Sequence, residues 1–477
     1  MINQKEKMDT ICAIATPAGG ALGIIRVSGP EAITAADRIF RPRVGAPLSQ
    51  RAASSLTFGN VVVPQTDETV DEVLVSLFRA PHSYTGEDSV EFSCHGSYYI
   101  LNKVVELLLA QGCRMARPGE YTERAFLNGK MDLSQAEAVA DLIASTTEAN
   151  HRMAMQQMRG GFSKELRTLR DQLLHITSLL ELELDFSDHE ELEFASRPEL
   201  LALAERIRSH IGALCQSFRL GNALKRGVPV ALVGETNAGK STLLNALVGE
   251  ERALVSNVHG TTRDTIEETV NVGGTLVRFI DTAGIRETSD TVERMGIERT
   301  FDKMAEADIV LWLIDLTAYQ AQYDELAEKI GAQVQGKQLV VLLNKTDLVS
   351  ESTINEAKQY ISGQLNNAVP TPMLLTLSAQ SCSGLDQLKQ LLAASLSTLQ
   401  AENNSTGTIV SNLRHYEALS AALAATDRVI EGLHQGLSGD FVSQDLRECI
   451  YHLSDIVGEV TTDQVLGNIF KHFCVGK

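Results

Sequence analysis

The stretch GETNAGKST (234–242) lies between an apolar run, VPVALVG, and a helical one, STLLNALVG. Its glycines and lysine have P-loop spacing, in the strand–loop–helix context that this motif requires. Gly234 and Gly239 allow a tight loop whose backbone N–H groups point inward and form an anion-binding nest. Lys240 would reach the β- and γ-phosphates, and Ser241 would ligate Mg²⁺. The stretch therefore predicts a nucleoside triphosphate site.

A second motif, FIDTAG (279–284), also follows an apolar run. It places Asp281 at a strand end, where a carboxylate can hold the magnesium shell. Gly284 can donate its N–H to the γ-phosphate and move when that phosphate leaves. This motif predicts a triphosphate that is bound with magnesium and hydrolysed.

Two further motifs predict which base is bound. NKTD (344–347) ends a strand, and Asp347 can accept two hydrogen bonds from the N1–H and exocyclic amine of guanine. Adenine cannot supply donors in that pattern. SAQ (378–380) would offer a backbone N–H to the guanine oxygen. The predicted nucleotide is therefore GTP.

The residue after DTAG is Ile285, where a Ras-like enzyme has a glutamine that orients the attacking water. Isoleucine cannot do this, so another group must complete the site. The stretch VSNVHGTTRD (255–264) lies where switch I is expected, and Thr261 or Thr262 can ligate Mg²⁺. Its hydroxyls and carbonyls could also hold a second cation. Arginine-finger candidates are Arg263 and Arg286.

The chain ends on FCVGK (473–477), with Cys474 fourth from the end. A prenylation box needs two aliphatic residues and a suitable last residue, and Gly476 and Lys477 fail both requirements. Two interpretations stay open at this point: an inert thiol on a frayed terminus, or a reactive group delivered to a site elsewhere.

The elements that must position these residues differ along the chain. From about 228 to 380, continuous apolar runs alternate with helical stretches, which predicts a doubly wound α/β domain. Leucines and isoleucines spaced by three and four predict amphipathic helices in 166–180 and 416–433. We expect these flanks to form one helical bundle, with connections near 220–227 and 401–407. Residues 1–129, with the strand patterns LGIIRVSG and DEVLVSLFRA, predict a separate α+β domain.

Composition narrows the functional class. The 477 residues indicate several domains, and no apolar run approaches the length of a membrane span, about 18 residues. MINQKEKMDT has no apolar core, so no targeting segment is expected. Seven scattered cysteines without a C-x-x-C favour reduced thiols in a cytoplasmic protein. A net charge of −19 disfavours a protein that coats nucleic acid.

The sequence resembles the MnmE (TrmE) family of tRNA-modification GTPases along essentially its whole length. The long central stretch and the terminal tetrapeptide are the most specific features. The resemblance rests on GIIRVSG (23–29), YTGEDSVEFSCHG (84–96), RPGEYTERAFLNGKMDLSQAEAVADLI (117–143), NAGKS, GTTRD, DTAG, NKTD and CVGK.

The resemblance implies a multidomain protein of α/β and α type. Its expected parts are an N-terminal tetrahydrofolate-binding and dimerisation domain (1–129), a helical domain in two parts (130–226 and 395–477) and an inserted Ras-like GTPase domain (227–394). As a homodimer, and with an FAD-dependent partner protein, such a protein modifies carbon 5 of the wobble uridine of certain tRNAs. The added group is aminomethyl or carboxymethylaminomethyl, and 5-formyl- or methylene-tetrahydrofolate is the one-carbon donor.

The resemblance also assigns roles to residues. Potassium would be held by Asn237, Ser256, Val258 and Thr261, and magnesium by Ser241 and Thr262. Glu293, in DTVERMGIER, would position the attacking water, and Cys474 would take part in the uridine chemistry. Folate would contact Arg26, Glu91, Lys130 and Lys477. The expected GTP contacts are Asn237, Ala238, Gly239, Lys240, Ser241, Thr242, Ser256, Asn257, Val258, His259, Gly260, Thr261, Thr262, Asp281, Thr282, Ala283, Gly284, Asn344, Lys345, Asp347, Ser378 and Ala379.

Departures from the family pattern are small: Thr236 for a common proline, Ser256 for a usual threonine and Val475 for isoleucine or leucine. The alternative from another class is a GTP-operated switch or ribosome-assembly factor without RNA chemistry. The first 143 residues and the CVGK tail argue against it. A membrane-remodelling GTPase would need a lipid-binding basic stretch, which the sequence lacks.

Overall fold

The computed structural model describes residues 9–17, 19–185, 197–235, 237–251, 268–280, 304–365, 372–402, 408–471, 473–474 and 476. Contacts between Cα atoms divide the chain into two compact units. One comprises Met1–Ile143, Gln156–Ala195 and Ser438–Lys477, and the other comprises Ala144–Met155 and Ser196–Leu437.

The first unit contains a mixed sheet of seven strands in the order β3-β4-β5-β6-β2-β1-β7, antiparallel except for the pair β1–β7. The patterns LGIIRVSG and DEVLVSLFRA form two of its strands, as predicted. The strands are β1 Ile11–Ile14, β2 Leu22–Ser28, β3 Phe40–Pro42, β4 Ser55–Val62, β5 Thr69–Phe78, β6 Ser89–His95 and β7 Arg114–Met115.

Two helices of this unit, α1 (Ala32–Ile39) and α2 (Tyr98–Ala110), share one hydrophobic core with the sheet. Val73, Val75 and Leu77 point to this core because side chains alternate along a strand. On the opposite face Leu22, Leu56, Phe58 and Leu74 are 69, 62, 40 and 41% exposed. The sheet therefore has one buried face and one apolar face that is open in the single chain.

The chain forms a second sheet in the other unit, and helices precede and follow it. The remaining helices before the second sheet are α3 Glu120–Leu127, α4 Leu133–Ala144, α5 Glu148–Met158, α6 Gly161–Asp185 and α7 Arg197–Arg226. Those after it are α12 Leu413–Gln435, α13 Gly439–Val457 and α14 Asp463–Phe470. Helix α6 packs against α13, and α7 packs against α12. Both predicted amphipathic stretches are helical, and helices that precede the second sheet pair with helices that follow it.

One predicted connection is wrong. Residues 220–226 continue α7 as regular helix and leave only Gly227 between the helix and the next strand. Leu220, Ala223 and Leu224 are buried in the core of the second sheet, with helical spacing. The burial of this apolar face favours a helix more strongly than the glycines favour a turn. The other predicted connection, 401–407, lies outside the described residues beyond Glu402.

The second sheet has six strands in the order β13-β12-β11-β8-β10-β9, parallel except for the edge strand β9. Its strands are β8 Val228–Val233, β9 Glu268–Val272, β10 Thr275–Ile280, β11 Ile309–Asp315, β12 Gln338–Asn344 and β13 Met373–Thr376. Its helices are α8 Lys240–Glu251, α9 Tyr319–Gln333, α10 Glu351–Leu365 and α11 Leu385–Glu402.

Hydrophobic cores lie on both faces of this second sheet. Along β11, Ile309, Leu311 and Leu313 belong to one core, whereas Val310, Trp312 and Ile314 belong to the other. A strand buried on both sides has no polar alternation, which explains the continuous apolar run in the sequence. The predicted doubly wound α/β domain is confirmed. The three predicted domain limits stay predictions, and α11 runs without interruption through 394–395.

Helix α7 closely contacts the chain that enters α12. The Ser217 hydroxyl accepts a hydrogen bond from Val410 N–H (3.0 Å) and donates one to Leu214 C=O (2.7 Å). A Cβ placed on Gly221 would lie 2.0 Å from the Val410 carbonyl oxygen. This contact requires a glycine.

We therefore expect Gly221→Ala to lower stability by about 1–3 kcal/mol, because overpacking at a backbone contact forces the chain apart. Gly212→Ala is the matched control in the same helix, since its Cβ would meet nothing within 4 Å. It should raise stability by about 0.5–1 kcal/mol through helix propensity. Urea denaturation of both variants measures the difference, and two equal shifts would contradict the packing account.

Candidate functional site

The P-loop joins the end of β8 to the start of α8, as the sequence predicts. Lys240, the first residue of α8, donates hydrogen bonds from Nζ to the backbone carbonyls of Gly234 and Glu235. Burial lowers the pKa of Lys240, and the nearby Glu235 carboxylate opposes that shift. Asn237 is exposed and has a left-handed backbone, with φ of 64°. The P-loop thus holds the Lys240 ammonium group inward and exposes the carboxamide of Asn237 to solvent.

The guanine-recognition side is organised by Asn344, which is 2% exposed. Its Nδ2 donates to the Ala238 carbonyl (2.8 Å), and its Oδ1 accepts from Ala379 N–H (2.9 Å). A single carboxamide therefore links the P-loop, NKTD and SAQ motifs. Asp347 is exposed beside them, in the short 3₁₀ turn Thr346–Leu348, and so can meet a base from solvent.

Sequence reasoning missed a carboxylate that fixes this side of the site. Asp315, the last residue of β11, pairs with Lys345 Nζ at 2.6 Å, where Lys345 has a left-handed φ of 66°. Burial alone would raise the pKa of Asp315, but hydrogen bonds from Lys345 and Thr317 bring it below its usual value. Asp315 is therefore ionised at neutral pH and holds Lys345 in place. The sequence feature that could have identified Asp315 is its position at the end of an apolar run.

Several expected contacts lie outside the described residues. Among the described ones, Ser241 and Thr242 occupy the first turn of α8, and Ser378 is buried beside Ala379. The expected residues outside the described ranges are Ser256, Asn257, Val258, His259, Gly260, Thr261, Thr262, Asp281, Thr282, Ala283, Gly284, Glu293 and Lys477.

A second cluster forms in the first unit around Arg26, on β2. Its Nε donates to Glu91 Oε1 at 2.8 Å, across the β2–β6 ladder in which these residues are directly paired. Its Cζ lies 5.5 Å from the ring centroids of both Tyr84 and Tyr121. Its Nη1 donates to Gly476 C=O at 3.4 Å. Within the described ranges, Nη2 has no hydrogen-bond partner and stays available as a donor.

The two tyrosines were not expected from the sequence. Tyr121 O–H donates to the Arg26 carbonyl (2.7 Å), and Tyr84 shares a hydrogen bond with Thr122 Oγ1 (2.9 Å). Burial raises the pKa of both tyrosines, so both stay neutral at neutral pH. Their rings hold the guanidinium by cation–π contact. Only their presence in the quoted family stretches indicated that they matter.

Lys130 contacts the loop that carries Tyr84. Its Nζ donates to the Pro81 carbonyl at 2.9 Å. The structure thus brings together Arg26, Glu91 and the C-terminal tail, and places Lys130 at the neighbouring loop rather than on Arg26 itself.

The described part of the C-terminal tail is docked within the first unit. Leu466 and Phe470 of α14 are buried against Leu133 and Ala136, and Ile469 and Phe473 pack at the edge of this cluster. The Cys474 carbonyl accepts from Gly119 N–H (3.3 Å), while the Cys474 side chain is exposed. The fraying expected of a free terminus is therefore prevented up to Cys474.

Gly476 requires its missing side chain. Its φ is +93°, and a Cβ there would lie 2.6 Å from the Ile14 carbonyl oxygen. The tail consequently runs directly along the end of β1 toward Arg26.

Comparison with known proteins identifies the family. The model described as "MnmE helical domain" matches residues 133–474, and "GTP-binding protein TrmE N-terminus" matches 10–130. The "tRNA modification GTPase MnmE" of Bacteroides fragilis (strain YCH46) is 58% identical over 470 residues, which cover 98% of this chain and 99% of that protein. This chain belongs to the MnmE family. The protein of that name from Parabacteroides distasonis is 56% identical over 474 residues, covering 98% of this chain and all of its own length.

Membership in the MnmE family agrees with the arrangement of helices. The helical family model spans residues on both sides of the second sheet, as do the pairs α6–α13 and α7–α12. No helix within the described parts of this MnmE-family chain is long and apolar enough to cross a membrane.

Gly476→Ala should undock the tail, because the new methyl group collides with backbone and the left-handed conformation is unfavourable for alanine. Hydrogen exchange at the Gly119 amide, which donates to Cys474, measures docking. We expect that amide to lose protection in the variant. Gly112→Ala is the control, since Gly112 has a similar φ of +94° but open space around it. Unchanged exchange in Gly476→Ala would contradict the docking model.

Proposed function

We propose that this protein is a GTP hydrolase that acts in the modification of carbon 5 of the wobble uridine of tRNA. The observation that carries the proposal is the C-terminal tail, which contacts Arg26 through Gly476 and carries the exposed Cys474 two residues earlier, in a chain that also has the guanine-recognition motifs. A GTP switch or assembly factor has no use for this arrangement. An FAD-dependent partner protein and a folate one-carbon donor complete the proposed reaction.

The described residues of the nucleotide site fit GTP with magnesium. Lys240 is freed for phosphate when it exchanges the two P-loop carbonyls for phosphate oxygens. Ser241, in the first turn of α8, supplies a hard oxygen ligand for magnesium together with Thr262. Asp347 binds the guanine edge, and Glu293 positions the water in place of the missing glutamine.

A potassium ion fits the exposed carboxamide of Asn237, because an amide oxygen on a left-handed P-loop residue is a suitable ligand. Ser256, Val258 and Thr261 would complete its oxygen ligands. Bound there, the cation supplies positive charge near the bond between the β- and γ-phosphates, where an arginine finger otherwise acts.

GTP hydrolysis should accordingly be faster in potassium than in sodium at equal ionic strength. Loss of one charge-stabilising group at a transition state typically costs about a hundredfold in rate, so Asn237→Ala should lose activity of this order in potassium. GTP affinity, measured in parallel, should change little because the group acts on the transition state. Equal wild-type rates in the two salts would refute the potassium assignment.

The Arg26 cluster fits an acidic, aromatic ligand such as tetrahydrofolate. Nη2 of Arg26, which has no partner among the described residues, can donate to the ligand. Glu91 fixes the guanidinium, and Lys130 adds a second cation at the neighbouring loop. Lys477 would pair with the glutamate of the folate. A bound folate would supply the one-carbon unit, and the Cys474 side chain would act as nucleophile or proton carrier.

Cys474→Ser tests this part of the proposal. GTP hydrolysis and folate binding should survive, because the exposed side chain supports neither the core nor the nucleotide site. Wobble-uridine modification, measured by mass spectrometry of tRNA nucleosides, should collapse. Normal modification in this variant would show that Cys474 is an inert thiol.

A cytoplasmic homodimer completes the proposal, since the open face of the seven-stranded sheet is suited to a second copy of the chain. Phe58 lies directly opposite Leu74, Leu74 opposite Ser93, and Ser93 opposite Ile24, so this strip crosses four strands with apolar residues on three of them and a serine on the fourth. An exposed patch of this kind typically marks an interface.

A further inference from the structure

A cavity of about 360 Å³ opens between α6 and α13 in the first unit, away from the residues assigned so far. This volume falls in the range of sites for small organic groups, roughly 300–1,000 Å³. Leu174, Ile450 and Val460 form apolar walls. A planar group of modest size would bury its faces here.

The cavity also presents hydrogen-bonding groups. Ser454 lines it and is 4% exposed. A hydroxyl in the lining of a cavity can both donate a hydrogen bond to a bound group and accept one from it. Thr177 and Ser178 donate their protons to the carbonyls of Leu173 and Leu174, both at 2.9 Å, which leaves their oxygens as acceptors.

An aromatic ring and an ion pair lie at the mouth. Tyr451 is 52% exposed, and Arg447 Nη2 donates to Glu181 Oε1 at 2.6 Å. Exposed pairs of this kind contribute little stability. Arg447 can therefore exchange Glu181 for a phosphate at low cost.

We propose that this cavity binds an unstacked nucleobase of the tRNA. Tyr451 would stack on the base, the three hydroxyls would meet its edge, and Arg447 would meet the adjoining phosphate. The proposal rests on the proposed function. With a net charge of −19, the chain cannot hold RNA by general attraction to phosphates, so binding must depend on stacking and edge contacts.

The test uses the full-length protein and a labelled anticodon stem–loop with uridine at the wobble position. Tyr451→Ala should weaken binding about five- to a hundredfold, the effect of losing one base–aromatic stack. Tyr451→Phe keeps the ring and should bind nearly as the wild type, and Ser454→Ala should lose a few-fold. Arg447→Gln should reduce the salt dependence of binding by about one phosphate contact.

Phe441→Ala is the matched control, because Phe441 is an exposed aromatic residue of the same helix that does not line the cavity. It should bind RNA as the wild type does, and all variants should hydrolyse GTP normally. Equal affinity of Tyr451→Ala and wild type, an equal loss in Phe441→Ala, or no RNA binding by the wild type would overturn the proposal.

Uridine monophosphate is tested as a second probe. Tyr451-dependent binding of the free nucleotide without an effect on the stem–loop would assign the cavity to a nucleotide and overturn the RNA proposal. Failure of the proposed function is a separate outcome: tRNA nucleosides would be unchanged in a strain lacking the protein, while Tyr451-dependent RNA binding persisted.

Discussion

The contact of the C-terminal tail with Arg26 depends on the burial of the apolar side of the last helix. Leu466 and Phe470 pack on Leu133 and Ala136, and burying each large side chain contributes about 1.5–3 kcal/mol. That energy offsets the entropy lost by ordering a chain end. It fixes the terminus against the N-terminal sheet, so that Gly476 meets a residue 450 positions earlier in the chain.

Hydrogen bonds between residues far apart in the sequence also organise the nucleotide site. Asn344 contacts Ala238, which lies 106 positions away, and Lys345 contacts Asp315 at the end of a neighbouring strand. Because these groups are satisfied by each other before a base arrives, little ordering is needed on binding. The Arg26 cluster follows the same principle, since two rings and one carboxylate hold the guanidinium and leave one nitrogen as donor.

The net charge of −19 explains why the proposed RNA site between α6 and α13 depends on stacking. An acidic chain gains specificity for RNA only where local groups overcome long-range repulsion. In the proposed RNA site, Arg447, Tyr451 and the three hydroxyls of the cavity would supply such groups within one helix pair. The exposed apolar strip of the N-terminal sheet is chemically different, because it lacks this density of polar contacts and suits a protein surface.

The sequence by itself determined the doubly wound α/β domain, two strands of the first sheet, two amphipathic helices, the P-loop context, the guanine motifs and the family. These features are local: strand and helix periods, and motif spacings of a few residues, are visible without knowing what packs where. It misjudged 220–227, because the turn signal of Gly221 was weighed without the buried face of Leu220, Ala223 and Leu224. Only the tertiary structure decided that Tyr84 and Tyr121 hold Arg26, that Asp315 holds Lys345, and that α6 and α13 enclose a cavity lined by Ser454. Each of these joins residues on separate elements, and such contacts depend on sheet register and helix packing that no short stretch of sequence specifies.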